Sequence, residues 1–379
     1  MRDTCYIVSL KYSPVMWRHS RAMGQPLQSC GHRVRYLMTT DYNWLNQDSP
    51  LEIDRVPVPD LANPVSVVIR FLRNKGMARI RAVFTANPPK LLLLTNLNPF
   101  IDRIMVRIAK QINPNVRIVL YLHEPRTTQR MVYGWKRAFL LIIFESLTRN
   151  MANMSDAVIL PSQNAYEVFQ RFFKKFRGSS RIIPLPFVDE PCLEQIERRY
   201  LSLVGHIGNA HQKGVDLFCE MVEESLKRPG TFAFQLVTGE NPGPLLETLS
   251  EKARMNLHVV HKAKLSDEEI SRAIRESTAV ILLQRRVMQS GVLPVAFMNG
   301  TPIIASDLLG FTQYINDGET GCILPVDSTL DQRFDAISRI QKDLEKMSSE
   351  CRRVYEKNFD SQIVVNSVPW ILGAHEDTV

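Results

Sequence analysis

Short apolar runs alternate along the chain with longer segments of helical period, the pattern of strand-helix units wound around a parallel sheet. In the first half the runs are Cys5 to Leu10, Arg35 to Met38, Leu91 to Leu94, Val116 to Leu122, Ala157 to Leu160 and Arg181 to Pro184. In the second they are Leu201 to Val204, Phe232 to Val237, Leu257 to Val260, Ala279 to Leu283, Pro302 to Ala305 and Gly321 to Leu324. Each set predicts one open sheet. Between them, Pro184-Leu-Pro-Phe-Val-Asp-Glu-Pro191 can continue neither a helix nor a central strand. The expected organisation is a first domain over 1–187, a linker over 188–198, a second domain over 199–358, and a last helical segment over 359–379 crossing back to the first. Two open α/β sheets so joined face a cleft at the carboxyl ends of their strands, where such sheets bind ligands. Functional residues are therefore expected in loops that follow strands.

Composition narrows the class. With 45% hydrophobic and 23% charged residues among 379, the chain is neither disordered nor collagen-like. Its longest apolar run, Ala138 to Phe144, falls far short of the ~20 residues that cross a bilayer. The N-terminal stretch MRDTCYIVSLKYS reads as a first strand rather than a signal peptide. Six scattered cysteines without a Cys-x-x-Cys pair suit a reducing cytoplasm better than a disulfide framework or a structural zinc site. Charge is divided unevenly. Residues 1–190 hold 27 Lys and Arg against 13 Asp and Glu, a net +14, whereas the remainder holds 20 against 26, a net −6. A basic half joined to an acidic half suggests two domains with different partners.

The most informative segment runs Tyr200-Leu-Ser-Leu-Val-Gly-His-Ile-Gly-Asn-Ala-His-Gln-Lys-Gly-Val-Asp-Leu-Phe218. An apolar strand enters a loop with Gly205 and Gly208, and Lys213-Gly214 is expected to open a helix. Glycines admit a ligand close to the backbone, and a helix start beside a lysine attracts phosphate. The spacing is that of neither a Walker loop nor a dinucleotide fingerprint, and an ordinary turn with a solvated lysine is the alternative. A second segment, Gln289-Ser-Gly-Val-Leu-Pro-Val-Ala-Phe-Met-Asn-Gly300, predicts a helix over Val292 to Met298 with Ser290 as N-cap and Asn299-Gly300 as its end. Ser266 with Glu269 forms a capping-box pattern. No Asp-x-Asp occurs, Glu52-Ile-Asp54 being the nearest approach, and no metal site is expected.

The order VGHIGNAHQKGVDLF, then LSDEEI, then SGVLPVAFMNGTPIIASDLLGFTQYINDGETGCIL resembles the donor half of GT-B glycosyltransferases, most closely the glycogen synthase-like family 4. SRAMGQPLQSCGHRVRYL, VLYLHEPR and DAVILPSQNA resemble the first half of the same fold less specifically. The resemblance implies two Rossmann-like, doubly wound parallel-sheet domains facing a cleft, and retaining transfer of a sugar from a UDP- or GDP-linked donor without metal or other cofactor. By the same resemblance Lys213 holds the donor diphosphate, and His206 stands where the family usually has Arg. Val287 and Val295 stand where many members carry paired glutamates, and backbone amides of Ser290, Gly291 and Val292 take over that holding, as in the subset with Ser-Gly-Val at this turn. The same resemblance puts Lys262 and Ala263 beside the base, and Thr238-Gly239-Glu240, directly after a strand, is expected to line the donor pocket. His123 matches a histidine near the donor sugar. Glu124, next to it, is the candidate carboxylate that steers the acceptor hydroxyl or stabilises developing positive charge. A core histidine, and a Glu124 paired with Arg126, are the plainer alternatives.

The basic half contains two acid-free stretches, Pro64 to Arg81 and Val168 to Arg181. In the second, Phe169, Phe172, Phe173 and Phe176 have helical spacing beside Arg171, Lys174, Lys175 and Arg177. A phenylalanine face backed by cations suits a helix lying on an anionic membrane, while a core-facing stripe with a solvated basic edge is the alternative. Arg126 and Arg130 extend the positive surface towards His123. The acceptor is thus expected to be a saccharide or polyprenyl diphosphate-linked sugar of a bacterial polysaccharide or glycolipid, met by a cytoplasmic protein peripheral to the inner membrane face. A catalytically impaired GT-B protein or partner subunit is the alternative suggested by Val287, Val295 and His206. A nucleic-acid binder ranks last, since no such module is recognisable.

Overall fold

The computed structural model describes residues 4–11, 14–42, 51–58, 64–126, 134–230, 232–263 and 265–374. The chain divides into two compact units, Met1–Val188 with Ser361–Val379, and Asp189–Asp360.

The first unit is built on seven parallel strands: β1 (Thr4–Ser9), β2 (Arg33–Thr39), β3 (Glu52–Val56), β4 (Pro89–Asn96), β5 (Arg117–Tyr121), β6 (Ala157–Leu160) and β7 (Ser179–Ile182). Their order is β3-β2-β1-β4-β5-β6-β7, so the winding direction reverses between β1 and β4. Right-handed crossovers then put helices on both faces, which explains why β1 and β6 are buried along their whole length. Strand β3 was not expected, because it has no apolar run. It lies at the sheet edge, where charges discourage further pairing. Its Glu52 and Asp54 face Arg33 and Arg35 on β2, with Arg33 Nη2 2.6 Å from Glu52 and Arg35 Nε 2.8 Å from Asp54. Glu52-Ile-Asp54 is therefore a cross-strand ion-pair ladder.

The C-terminal residues belong to this unit. Ser361 N–H donates to the Phe187 carbonyl at 3.0 Å, and the Arg117 guanidinium donates to the carbonyls of Ile371 and Trp370 at 2.8 and 3.0 Å. Arg181 stacks over the Trp370 ring.

The second unit carries six parallel strands, β8 (Tyr200–Val204), β9 (Ala233–Thr238), β10 (Leu257–His261), β11 (Ser277–Leu282), β12 (Ile303–Ser306) and β13 (Gly321–Leu324), in the order β10-β9-β8-β11-β12-β13. Here the order reverses between β8 and β11. All six correspond to apolar runs. At the start of β8 the half-buried Arg198 guanidinium donates to the carbonyls of Ser277, Asn299 and Gly300 and to the Thr301 hydroxyl, tying the amino end of the sheet together. Burial lowers its pKa to about 10.

Candidate functional site

In an open α/β sheet a ligand crevice forms beyond the carboxyl ends of the strands where the order reverses, because the following loops run to opposite faces. In the second unit that point lies after β8 and β11. The loop after β8 begins at Gly205, whose φ of +121° suits a residue without a side chain. A one-turn helix, Ala210–Lys213, follows, and then the longer helix Val215–Ser225. Lys213 thus closes the short helix instead of opening the long one, and Gly214 joins the two at φ 68°. A Cβ on Gly214 would stand 1.9 Å from the carbonyl oxygen of Leu283, directly after β11. Arg285 N–H donates to Gln212 O at 2.9 Å and Arg285 Nη1 to Asp216 at 2.8 Å, so the two loops are firmly knitted together. Their contact brings Lys213 Nζ to 3.5 Å from Oε1 of the buried Gln284.

The glycine loop also meets the end of β9. Ile207 N–H and Gly208 N–H both donate to Oε2 of Glu240, at 2.8 and 2.6 Å, and His206 Nδ1 lies 2.9 Å from Oε1. Partial burial would raise the Glu240 pKa, but the bonds from His206 and the two amides outweigh it and hold the carboxyl below its ordinary value. Gly239 lies beside the carbonyls of Ala263 and Lys262, and Gly205 beside Val292. The loops bearing Gly205, His206, Gly208, Lys213, Gly239, Lys262, Ala263 and Val292 therefore share one end of this sheet. The Lys262 ammonium pairs with Glu269 at 2.9 Å. Glu269 also completes the capping box with Ser266.

The turn before Val292–Met298 differs from expectation. Gly291 is the N-cap, without a side-chain cap bond, and Ser290 lies one residue further out. Val295 is buried on the inner side of that helix, and Val287 packs against Gly310, whose Cβ would meet it at 2.9 Å. Both valines serve packing.

In the first unit the reversal lies between β1 and β4, and the side chains gathered there are His19, Ser20, Thr95 and His123. His123 Nε2 lies 2.7 Å from the Thr95 carbonyl, which only accepts, so this nitrogen carries the hydrogen. Thr95 Oγ1 lies 2.7 Å from Ser20 Oγ and donates to Val8 O at 3.1 Å. The His19 ring stands edge-on to Tyr121 and 5.3 Å from His123, with Nδ1 3.3 Å from the Pro186 carbonyl. Burial first, and the neighbouring His123 second, push the His19 pKa well below its ordinary value, so this imidazole is neutral. Glu124 is exposed at the loop surface and His123 half-buried. Sequence reasoning missed His19, Thr95 and Gln284. The one available signal was position, since Thr95 and Gln284 directly follow apolar runs.

Of the two readings of the phenylalanine-rich basic stretch, the structure takes the core-facing one, with a helix shorter than the spacing implies. The helix Gln163–Phe172 ends at Phe172 and the chain turns at Phe173, so Lys174 and Lys175 lie outside it. Phe169 and Phe173 are core residues, and Phe172 and Phe176 pack against the same core. The phenylalanine stripe thus faces inward. Arg126 lies 3.9 Å over the Phe172 ring, with Arg171 at 5.5 Å. Arg130 falls outside the described residues. The stretch from Pro64 to Arg81 forms two helices, Pro64–Arg73 and Gly76–Ala86, hinged at Lys75 with φ 57°. At that corner Ile69, Leu72 and Met77 are 51%, 48% and 40% exposed among exposed Arg70, Arg73 and Lys75. Among the described residues no helix is long and apolar enough to cross a membrane.

Residues 198–343, which contain this switch point, match the family described as Glycosyl transferases group 1. No curated protein matches the chain. Solved structures match along nearly its whole length. Sucrose-phosphate synthase from Thermosynechococcus elongatus superposes with TM-score 0.72 at 15% identity, covering 98% of both chains. The TarM G117R mutant of S. aureus, in complex with fondaparinux, alpha-GlcNAc-glycerol and UDP, gives 0.73 at 9% identity over 98% of this chain and 100% of that one. Anabaena HepE in complex with UDP-glucose gives 0.70 at 12% identity over 99% and 100%. At such identities the likeness is one of fold: two parallel-sheet α/β units of the kind found in GT-B glycosyltransferases.

Proposed function

We propose that this protein is a glycosyltransferase that moves a sugar from a nucleotide diphosphate sugar to a saccharide or lipid-linked saccharide acceptor, in bacterial surface polysaccharide or glycolipid biosynthesis. The observation that carries the reading is the meeting of the Gly205–Gly208 loop, Lys213 and Gln284 at the β8–β11 junction, inside the segment that matches the group 1 glycosyl transferases. Structures of the same fold that hold UDP or UDP-glucose support a nucleotide-linked donor. In this reading the Lys213 ammonium binds the diphosphate and stabilises the charge that grows on it as the sugar leaves, without a metal ion. His123 contacts the sugar. Its Nε2 hydrogen is committed to Thr95, so the ring is held in one tautomer and one orientation. Glu124, exposed beside it, steers the acceptor hydroxyl, and the anomeric configuration is retained.

The donor-binding part is tested by a thermal-shift screen against UDP, GDP, ADP, CMP and dTDP. A ligand at about 100 times its Kd adds about 2.7 kcal/mol to the folded state, and UDP or GDP is expected to give that rise. A midpoint unmoved by all five would sink the reading. The buried Val295 and the packed Val287, which by the resemblance stand where many such enzymes carry glutamates, favour a second reading, a catalytically impaired GT-B protein or partner subunit. Nucleotide binding without turnover of any donor would favour it.

The acceptor reading places the first unit at an anionic membrane surface. It is supported by the corner at Lys75, where three exposed apolar side chains stand among the cations of a stretch, 64–81, whose sequence has no acid. Each such cation contributes about 1 kcal/mol at an anionic surface. Reversing Arg70, Arg73 and Lys75 to Glu together is expected to cut cosedimentation with phosphatidylglycerol vesicles at low salt by about 100-fold or more, with the melting temperature preserved. Undiminished cosedimentation of the triple variant would remove the membrane from the account.

A further inference from the structure

The amides of Ile207 and Gly208 are consecutive donors in a loop that starts from a left-handed glycine, and both point at one oxygen. Successive backbone N–H groups arranged this way form an anion-binding concavity. The anion in it belongs to the protein: Oε2 of Glu240 takes both amides and Oε1 meets His206. Two features show how closely the loop is fitted to that occupant. Gly208 has an ordinary φ, so its lack of a side chain is a matter of room, and a Cβ there would press on Glu240 Oε2 at 3.2 Å. The backbone of Glu240 is fixed at the end of β9, with its own N–H donating to Thr238 Oγ1 at 3.1 Å. Its side chain, in contrast, is 39% exposed.

We infer that Glu240 is a stand-in for donor phosphate: its carboxylate fills the amides of Ile207 and Gly208 when no donor is bound, and the diphosphate takes them by displacing it. This rests on the donor-site reading above and adds to it the residue that closes the site. Two anions cannot share the same two N–H groups, and a carboxylate left beside a diphosphate repels it. Donor entry therefore includes an exchange: the amides pass from carboxylate to phosphate, Glu240 turns outward into water, and the His206 ring loses its partner and is free to follow the phosphate. The device keeps the amides satisfied and the loop in its receiving shape while the site is empty. It also lowers the affinity for any anion too weak to displace the carboxylate, which selects a diphosphate over a monophosphate.

The test is titration calorimetry with inorganic diphosphate and the full-length protein. Glu240→Gln keeps an oxygen for the amides and removes the charge; Glu240→Ala removes the occupant and serves as a second variant should the first not fold. Each is expected to bind diphosphate about tenfold more tightly than wild type, the size of one like charge removed at a partly exposed site. Lys213→Ala is expected to bind it at least about tenfold more weakly, through loss of a charge-assisted bond. If the Glu240 variants bind diphosphate no better than wild type while Lys213→Ala binds worse, the donor site stands and the stand-in is overturned. If no protein in the set binds diphosphate, the donor-site reading falls and the inference falls with it.

Discussion

Replacing Lys213 with alanine is expected to lower kcat/KM for the nucleotide sugar by about 10² to 10³, the usual cost of removing one preorganised stabiliser of transition-state charge. Most of the loss belongs in kcat, because the diphosphate carries more charge as a leaving group than as part of the intact donor. The ammonium stands on an exposed one-turn helix and bears little on stability, so the melting temperature of the variant should stay within a degree or two of wild type. Steady-state kinetics with the donor found by the nucleotide screen checks this. A variant as fast as wild type would leave the diphosphate without its principal counter-charge and would remove Lys213 from the site.

The neighbouring position gives the opposite pattern. Gly214→Ala is expected to destabilise the second unit by about 4 kcal/mol or more, among the largest effects of a single substitution. Two causes add. A left-handed φ of 68° is costly for a residue with a side chain, and the new Cβ would lie 1.9 Å from the Leu283 carbonyl oxygen, a backbone atom that cannot rotate away. Relief would require the loops after β8 and β11 to part, breaking the bonds from Arg285 to Gln212 and Asp216 and carrying Lys213 from Gln284. Denaturant unfolding followed by circular dichroism should show one transition moved to lower denaturant and the other, that of the first unit, unmoved. Wild-type unfolding of the Gly214→Ala variant would mean that the two loops are less tightly joined than these distances indicate.

These contrasting neighbours show what the sequence does and does not reveal. Apolar runs locate strands buried on both faces, because such strands have no polar side to disguise them. They fail for β3, whose inward residues include Asp54 paired with Arg35. Spacing of phenylalanines gives the inward face of Gln163–Phe172 but not its end. The chain turns at Phe173, and Gly178 then passes so close to the Asp156 carbonyl that a Cβ would lie 2.3 Å from it. Helical spacing continues by coincidence beyond the point where the backbone stops being helical. Ser290 has the chemistry of a cap, yet Gly291 takes the position.

At the candidate site, the glycine loop and Lys213 are legible as a phosphate-binding pattern because close backbone approach requires glycine and charge requires lysine. Glu240 is different. Its place after β9 marks it as lining the same end of the sheet, but nothing in the spacing says that its carboxylate turns back onto amides more than thirty residues earlier. His19 is likewise invisible, since it becomes a neighbour of His123 only when a helix packs over the β1–β4 reversal. Residues that meet a ligand through loop chemistry can be read from a sequence; residues that meet one another through packing need the fold.

The function proposed for the β8–β11 junction of the second unit is to bind a nucleotide diphosphate sugar and break its sugar-phosphate bond. Its most direct test is release of nucleoside diphosphate from a panel of UDP- and GDP-sugars, water taking the sugar where no acceptor is supplied, measured side by side for the wild-type protein and Lys213→Ala. Release from at least one donor by the wild-type protein, and a fall of about 10² to 10³ in the variant, are expected. No release from any donor, or equal release by the two proteins, would contradict it.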